Sequence, residues 1–185
     1  GTGPMTFGAG PMLVNHAAQW CVPCAHEIPD LIDLAEDLRK VDSTLKMEMV
    51  LSGAATKIDI AADGKSLRKK ARKKTGDAEL NIPSWWKVRA DPEKALMAFT
   101  KAFLKSDDLP VTLLFDKCGN LAMSVQGVLT KKAEKKLLKK ARKLKEGGCI
   151  KAEPARVKPV VVKPAGGGGG GGGKKKSGKK HTNPF

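Results

Sequence analysis

A Cys-x-x-Cys pair at the junction of a strand-like run and a helix-like stretch most constrains how this chain folds. The apolar run over residues 12–18 predicts a buried strand. Apolar side chains then recur at helical spacing between Ile28 and Leu38, which predicts a helix over about residues 21–40. Pro29 lies inside that helix, where we expect a kink. The pair therefore lies at the N-terminal end of the helix.

This position predicts a specific chemistry for the two cysteines. Unpaired N–H groups and the positive end of the helix dipole favour a thiolate on Cys21. The two residues Val22 and Pro23 place Cys24 one turn on, within disulfide reach and more buried. We therefore expect Cys21 to attack a disulfide and Cys24 to resolve the mixed disulfide that forms. The Val22-Pro23 dipeptide is expected to tune the relative stability of the two redox states.

Two other uses of the Cys21–Cys24 pair stay open from the sequence: a static disulfide, and half of a zinc site. A four-cysteine zinc site usually has a second Cys-x-x-Cys, and Cys118 and Cys149 do not supply one. We therefore expect redox chemistry and no metal. Cys118, in a turn, is expected to be an exposed surface thiol, and its pairing with Cys149 stays an alternative that sequence cannot settle.

Beyond residue 45, strand-like and helix-like stretches alternate along the chain. Short or alternating apolar runs predict strands over residues 46–51, 84–89, 111–115 and 121–125. Helical spacing predicts helices over residues 63–74, 91–104 and 130–145, with a connection over residues 53–60. Asp91 and Thr130 suit the N-cap positions of the last two helices. The alternation is typical of an α/β fold.

The composition divides the chain into three segments. Residues 1–11 are rich in Gly and Pro and are expected to be a flexible lead-in, and residues 12–148 to form one folded domain. Residues 149–185 are rich in Pro, Gly and Lys, including eight consecutive glycines over residues 166–173. Such a segment buries too little apolar surface to offset its ordering entropy, so we expect a disordered tail.

The net charge of +16 points to acidic partners. Residues 151–185 hold nine Lys or Arg residues against one acid, so an unspecific contact between this tail and a polyanion is expected. An alternative function follows from this, in which the folded domain is a binding module whose basic tail contacts nucleic acid or another polyanion.

Five short motifs occur in a fixed order: LVN at 13–15, WCVPC at 20–24, EIP at 27–29, LPVT at 109–112 and FDKCGN at 115–120. Together they resemble the TlpA/ResA-like branch of the thioredoxin superfamily, the membrane-anchored or periplasmic disulfide reductases, over about residues 10–146. The resemblance implies a thioredoxin fold: a central mixed sheet of four or five strands with helices on both faces. It also implies thiol–disulfide oxidoreductase activity, as a protein disulfide reductase.

The resemblance assigns roles to further residues. Pro110 would be the cis proline whose loop faces the cysteines and aligns an incoming peptide strand. Glu27 would be a buried or half-buried carboxylate near Cys24 that perturbs the pKa values of the cysteines and relays protons. Trp20 would shield the approach to Cys21, and the remaining substrate-binding residues would be Val22, Pro23 and Leu109.

The resemblance also implies partners and a location. The partners would be protein dithiols or disulfides and an upstream reductant, with no metal, flavin or nucleotide cofactor, and the protein would be a monomer. A periplasmic or other extracytoplasmic location follows from the family, whereas the lysine-rich tail would also suit an intracellular one. No apolar run approaches the roughly 20 residues that a membrane-spanning helix needs.

The chain departs from the family pattern just before the cysteines. The family usually has Asn-Phe-Trp-Ala there, and this chain has Asn15 followed by His16, Ala17 and Ala18. Two aromatic side chains beneath the site are therefore missing, and we expect His16 to be a packed core histidine. A peroxiredoxin-type peroxidase, a further alternative, would need a lone reactive cysteine, and the paired cysteines and Pro110 argue against it.

Overall fold

The computed structural model describes residues 10–53, 57–77, 80–91, 94–150 and 160–161, with the side chains of residues 57–60, 103 and 160–161 outside the description. The first half of the chain forms β1 (Met12–Ala17), α1 (Val22–Val41), β2 (Lys46–Leu51), α2 (Lys57–Thr75) and β3 (Lys87–Ala90). The second half forms α3 (Ala95–Leu104), β4 (Val111–Phe115), β5 (Leu121–Gln126), α4 (Lys131–Gly147) and β6 (Val160–Val161).

The strands form one mixed sheet in the order β3-β2-β1-β4-β5-β6. β1 pairs in parallel with β2 and antiparallel with β4, so that His16 lies between Val50 and Val111. β2 and β3 are parallel, β4 and β5 form an antiparallel hairpin, and the two-residue β6 adds in parallel to β5. The predicted mixed sheet is confirmed, with five strands of four or more residues and β1 near its centre.

Both faces of the sheet are covered, because all six residues of β1 are buried. Leu13 and Ala17 face one side, where they share a core with apolar residues of α1, α2 and α4. Met12 and Val14 face the other side and pack with Leu96 and other residues of α3. Helices therefore lie on both faces, as predicted. Truncating a fully buried side chain such as Leu13 to alanine would cost about 2–5 kcal/mol.

The predicted start of α2 is wrong. The helix begins at Lys57, within the segment 53–60 that was predicted to be a connection. Apolar side chains at helical spacing first appear further on, at Leu67 and Ala71, which are fully buried. The preceding turns contain Ala61 and Ala62, strong helix formers that extend the helix without contributing to its apolar periodicity.

The strand predicted over residues 84–89 starts later, since β3 spans Lys87–Ala90. A turn occupies the preceding residues, in which the Trp86 N–H donates to the Pro83 carbonyl at 3.0 Å. Pro83 favours a turn, and it overrides the strand propensity of the two tryptophans that follow it.

The prediction of a free Cys118 thiol is also wrong, because Cys118 and Cys149 form a disulfide with a Cα–Cα distance of 5.7 Å. The Asp116 carboxylate explains the proximity of two residues 31 apart in sequence. It accepts hydrogen bonds from the backbone N–H groups of Cys118, Asn120 and Ile150 at 2.7–2.9 Å. The end of α4 is thereby attached to the β4–β5 turn.

Much of the predicted lead-in and tail lies outside the described residues. This holds for residues 1–9, 151–159 and 162–185. Cys149 and Ile150, the first residues assigned to the tail, are described and contact the hairpin. Within the described ranges, no helix combines the length and the apolar character that crossing a bilayer requires.

Candidate active site

The paired cysteines occupy the N-terminus of α1, as the sequence predicts. Cys21 is the N-cap residue, and it is joined by a disulfide to Cys24 with a Cα–Cα distance of 5.3 Å. The backbone N–H of Cys24 donates to the Cys21 sulfur at 3.2 Å. In the reduced protein the same N–H group and the helix dipole would stabilise a thiolate on Cys21.

An exposed apolar surface surrounds this disulfide. Trp20 is 63% exposed and Val22 49% exposed, and they are the large apolar side chains that protrude from the described part of the chain. Pro23 is exposed beside them. The cysteines themselves are buried, Cys21 being 4% and Cys24 1% exposed. Solvent-exposed apolar groups next to a protected disulfide are suited to contact with another polypeptide.

The predicted cis proline is confirmed, since the Leu109–Pro110 peptide bond is cis. Val111 pairs with His16 in the sheet, so Pro110 lies at the end of the sheet from which β1 leads towards Cys21. Leu109 is half-buried and packs against the core on the α1 side of the sheet. The cysteines and the cis peptide, 85 or more residues apart in sequence, therefore lie at the same end of the sheet.

These observations decide the fold. A strand flanked by one parallel and one antiparallel neighbour leads into the paired cysteines of α1, and a cis proline begins the antiparallel neighbour. The chain has a thioredoxin fold.

A comparison with solved structures finds chains that are similar to this one. A thiol:disulfide interchange protein of the thioredoxin family from Chlorobium tepidum is 19% identical, with 72% of this chain and 80% of that chain covered and a TM-score of 0.47. StoA from Bacillus subtilis is 15% identical, with 74% and 85% covered and a TM-score of 0.45. A secreted Mycobacterium tuberculosis disulfide oxidoreductase homologous to Escherichia coli DsbE is 13% identical, with 74% and 83% covered and a TM-score of 0.45.

At these low identities the similarity concerns the fold alone. No protein-family model and no curated protein sequence matches the chain.

Glu27 is fully buried next to the cysteine pair, which confirms its predicted burial. It follows Cys24 by three residues, so both side chains lie on the same face of α1. Its Oε1 accepts from Asn15 Nδ2 at 2.8 Å and its Oε2 from the Leu129 N–H at 3.0 Å. Burial raises the pKa of Glu27 to about 8, although these two hydrogen bonds lower it in part.

Asn15 links this carboxyl to the strand that follows the cis proline. Its Nδ2 also donates to Thr112 Oγ1 at 3.2 Å, so that Glu27 is held by β1, β4 and the loop before α4. Neither Thr112 nor Leu129 was predicted from the sequence to be part of the site. Thr112 belongs to the LPVT motif, so its place in that motif could have indicated that it lies near the site. Nothing in the sequence around Leu129 indicated its contact with Glu27.

A second buried polar cluster lies on the opposite face of the sheet and was not predicted. His16 Nε2 contacts Ser52 Oγ and lies 3.8 Å from Asp91 Oδ2. His16 is fully buried, as predicted, and burial lowers its pKa to about 4 even though the Asp91 carboxylate raises it in part. His16 is therefore neutral at pH 7.

This cluster lacks the geometry of a nucleophilic triad. In a Ser-His-Asp triad the serine and the carboxylate contact different ring nitrogens, whereas here both face Nε2. The Asp91 carboxylate instead accepts from the backbone N–H groups of Leu96 and Met97, at 3.0 and 3.1 Å, at the start of α3. The cluster therefore has a structural role.

A metal ion would need at least three His, Cys, Asp or Glu side chains close together. No such group occurs among the described residues.

Proposed function

We propose that this protein is a thiol–disulfide oxidoreductase that reduces disulfides in protein substrates. One observation carries the proposal: the Cys21–Cys24 disulfide lies at the N-terminus of α1, where the Cys24 N–H donates to the Cys21 sulfur, within an exposed apolar surface. The helix terminus favours the thiolate that thiol–disulfide exchange needs.

The exchange proceeds in two steps. The Cys21 thiolate attacks one sulfur of the substrate disulfide, which forms a mixed disulfide and releases the other substrate sulfur as a thiolate. The Cys24 thiolate then attacks the Cys21 sulfur, which closes the Cys21–Cys24 disulfide and releases the second substrate thiolate. Two electrons pass to the substrate, and an upstream dithiol reductant returns them to the pair.

Glu27 serves as the proton acceptor for Cys24 in this proposal, and it does so in its ionised form, which a pKa of about 8 makes the minority form at pH 7. Cys24 must lose its proton before it can attack, and a thiol has a pKa near 8.5. Once ionised, a carboxylate whose pKa is about 8, one helical turn away, is a far stronger base than an ordinary carboxylate and is suited to take a proton from a thiol.

Substrate binding is assigned to the surface around Cys21. Trp20, Val22 and Pro23 offer an exposed apolar contact on the helix side. Leu109 and the cis Pro110 border the strand side, where an extended substrate segment would align. Two further expectations remain predictions: a monomeric state, and a contact between the lysine-rich tail and a polyanion.

The first test is the redox equilibrium of the Cys21–Cys24 pair against glutathione, followed by thiol alkylation and mass. We expect a reversible two-electron transition that is lost in Cys21→Ser. A potential of about −200 mV or below would indicate a reductant, and one near −120 mV an oxidant. The measurement belongs in the Cys118→Ser/Cys149→Ser background, because the second disulfide would otherwise add its own transition. If the pair exchanges with no thiol, the disulfide is structural and the proposal is wrong.

A further inference from the structure

The lysine-rich α2 helix lies beside the cysteine pair. Lys70 Nζ donates to the backbone carbonyl of Gln19 at 2.5 Å, and Gln19 is two residues before Cys21. α2 also packs along α1, the helix that carries both cysteines. Because the hydrogen bond from Lys70 fixes α2 next to Gln19, charged side chains within one turn of Lys70 are close to the exposed surface around Cys21.

Three further lysines lie within about one turn of Lys70. Lys73 and Lys74 follow it by three and four residues and therefore share its side of the helix, and Lys69 shares a face with Lys73. At about 1.5 Å of rise per residue, all three lie within roughly 6 Å of Lys70 along the helix axis. Their side chains are exposed.

These charges are not neutralised locally. Across the described ranges, no carboxylate lies within ion-pair distance of Lys69, Lys73 or Lys74. Arg72, which points away from Lys70, donates instead to the Leu80 carbonyl and to Asn81 Oδ1, both at 2.8 Å. The four lysines around the cysteine end of α2 thus keep their positive charge, and we call Lys69, Lys70, Lys73 and Lys74 the α2 lysine patch.

We propose that the α2 lysine patch selects protein substrates with acidic residues next to the cysteine that Cys21 attacks. This inference rests on the proposed exchange activity and names its substrate class. The Debye length is about 10 Å at 0.1 M ionic strength, so lysines this close to Gln19 act on a polypeptide that contacts Trp20 and Val22. Such attraction raises association rates by a factor of 10 or more when salt is low.

The test uses three synthetic peptide disulfides that differ only in the residues flanking the cysteine: several Glu, several Gln, or several Lys. The measured quantity is the second-order rate constant of their reduction by the reduced full chain. At an ionic strength of about 20 mM we expect the Glu peptide to react at least about tenfold faster than the Lys peptide, with the ratio falling towards one at about 0.5 M.

A matched pair of variants separates the patch from the net charge of +16. Lys69→Gln/Lys73→Gln/Lys74→Gln removes three charges of the patch. Lys135→Gln/Lys139→Gln/Lys140→Gln removes three charges with identical spacing from α4. These lysines follow Lys131, which pairs with Asp30, and α4 continues from there away from the cysteine end of α1 until Lys145 reaches Val41. Asp30 itself is roughly 14 Å along α1 from Cys21 at 1.5 Å of rise per residue. We expect the Glu-to-Lys rate ratio to fall several-fold in the α2 variant and to persist in the α4 variant.

Two outcomes would contradict a preference for acidic substrates that depends on the α2 lysine patch. An equal fall in both variants would mean that only net charge acts, and equal rates for the three peptides would mean that no selection occurs, so either result overturns the proposal. If no peptide is reduced at all, the Gln peptide included, the proposed exchange activity itself is wrong, and the substrate preference is wrong with it. Circular dichroism of each variant shows whether its fold is intact.

Discussion

At the scale of single residues, the unusual group is the carboxyl of Glu27. Its side chain is fully enclosed, and its two oxygens accept one hydrogen bond each, from Asn15 and the Leu129 N–H. Two neutral donors compensate only part of the desolvation of a carboxylate, so its pKa rises to about 8. The folded protein therefore keeps this carboxyl protonated at pH values where the unfolded chain has already ionised it.

This difference predicts a pH-dependent stability that Glu27→Gln removes. The folded pKa of Glu27 is raised above the unfolded value, so the contribution of Glu27 to stability is largest below about pH 4.5 and is lost as the pH rises towards 8. This contribution should fall by about 3 kcal/mol between pH 5 and pH 8, whereas His16, with its lowered pKa, contributes a change of the opposite sign over the lower part of this range. Urea unfolding of the oxidised protein at both pH values measures it.

The matched control is Glu36→Gln, which changes an exposed carboxyl on the same helix. We expect Glu36→Gln to keep the pH dependence of the original chain, and Glu27→Gln to gain about 3 kcal/mol relative to the original chain between pH 5 and pH 8, because His16 titrates alike in all three proteins. Parallel curves for all three proteins would show that Glu27 ionises normally in the folded state, and its assignment as the proton acceptor for Cys24 would then fail.

At the scale of secondary-structure elements, α3 shows how a residue outside a helix caps it. The N-cap residue Lys94 adopts a left-handed conformation with φ of 51° and offers no side-chain hydrogen bond. The buried Asp91 carboxylate, at the end of β3, instead accepts from the N–H groups of Leu96 and Met97. The Asp91 carboxylate thus caps the helix as predicted, by accepting from its first N–H groups. Asp91 is not the N-cap residue, however, because the helix begins at Ala95 and Lys94 occupies that position.

Asp91→Ala should therefore destabilise the fold without changing the cysteine pair. Loss of a cap costs about 0.5–2 kcal/mol, and leaving buried N–H groups unpaired adds to it, so we expect about 2–3 kcal/mol in urea unfolding. The redox potential of Cys21–Cys24 should stay the same, because α3 packs on the opposite face of the sheet from α1. Asp33→Ala, at an exposed position, is the control and should change stability by less than about 0.5 kcal/mol. A shifted potential in Asp91→Ala would show that the two faces are coupled.

At the scale of the whole molecule, the Cys118–Cys149 disulfide closes a loop that contains β5 and α4. These elements bring Leu129 to Glu27 and Lys131 to Asp30, the latter at 3.2 Å. The disulfide therefore ties down the part of the chain that completes the environment of the buried carboxyl.

Removing this disulfide should lower global stability. For a loop of 31 residues the chain-entropy model gives a loss of about 3–4 kcal/mol in Cys118→Ser/Cys149→Ser, measured by urea unfolding of the oxidised protein. Cys21→Ser/Cys24→Ser, which opens a loop of only 3 residues, should cost less. The difference between the original chain and Cys118→Ser/Cys149→Ser should vanish once dithiothreitol reduces both proteins. If it persists under dithiothreitol, the serines act through packing and the cross-link adds little.

The sequence by itself determined the elements and the cysteine chemistry, because both depend on local patterns. Periodicity predicted β2 and β4 at their observed bounds, and Thr130 caps α4 as expected, its Oγ1 accepting from the Ala133 N–H at 3.2 Å. The position of Cys21 at a helix N-terminus also followed from the order of neighbouring residues.

Only the tertiary structure decided the contacts between residues far apart in sequence. Asn15 meets Thr112 across 97 residues and Leu129 meets Glu27 across 102, so the raised pKa of Glu27 depends on which strands are neighbours. The Cys118–Cys149 disulfide and the contact between Lys70 and Gln19 arise in the same way. Periodicity indicates that a face is buried, but the order of the strands and helices decides which side chains meet there.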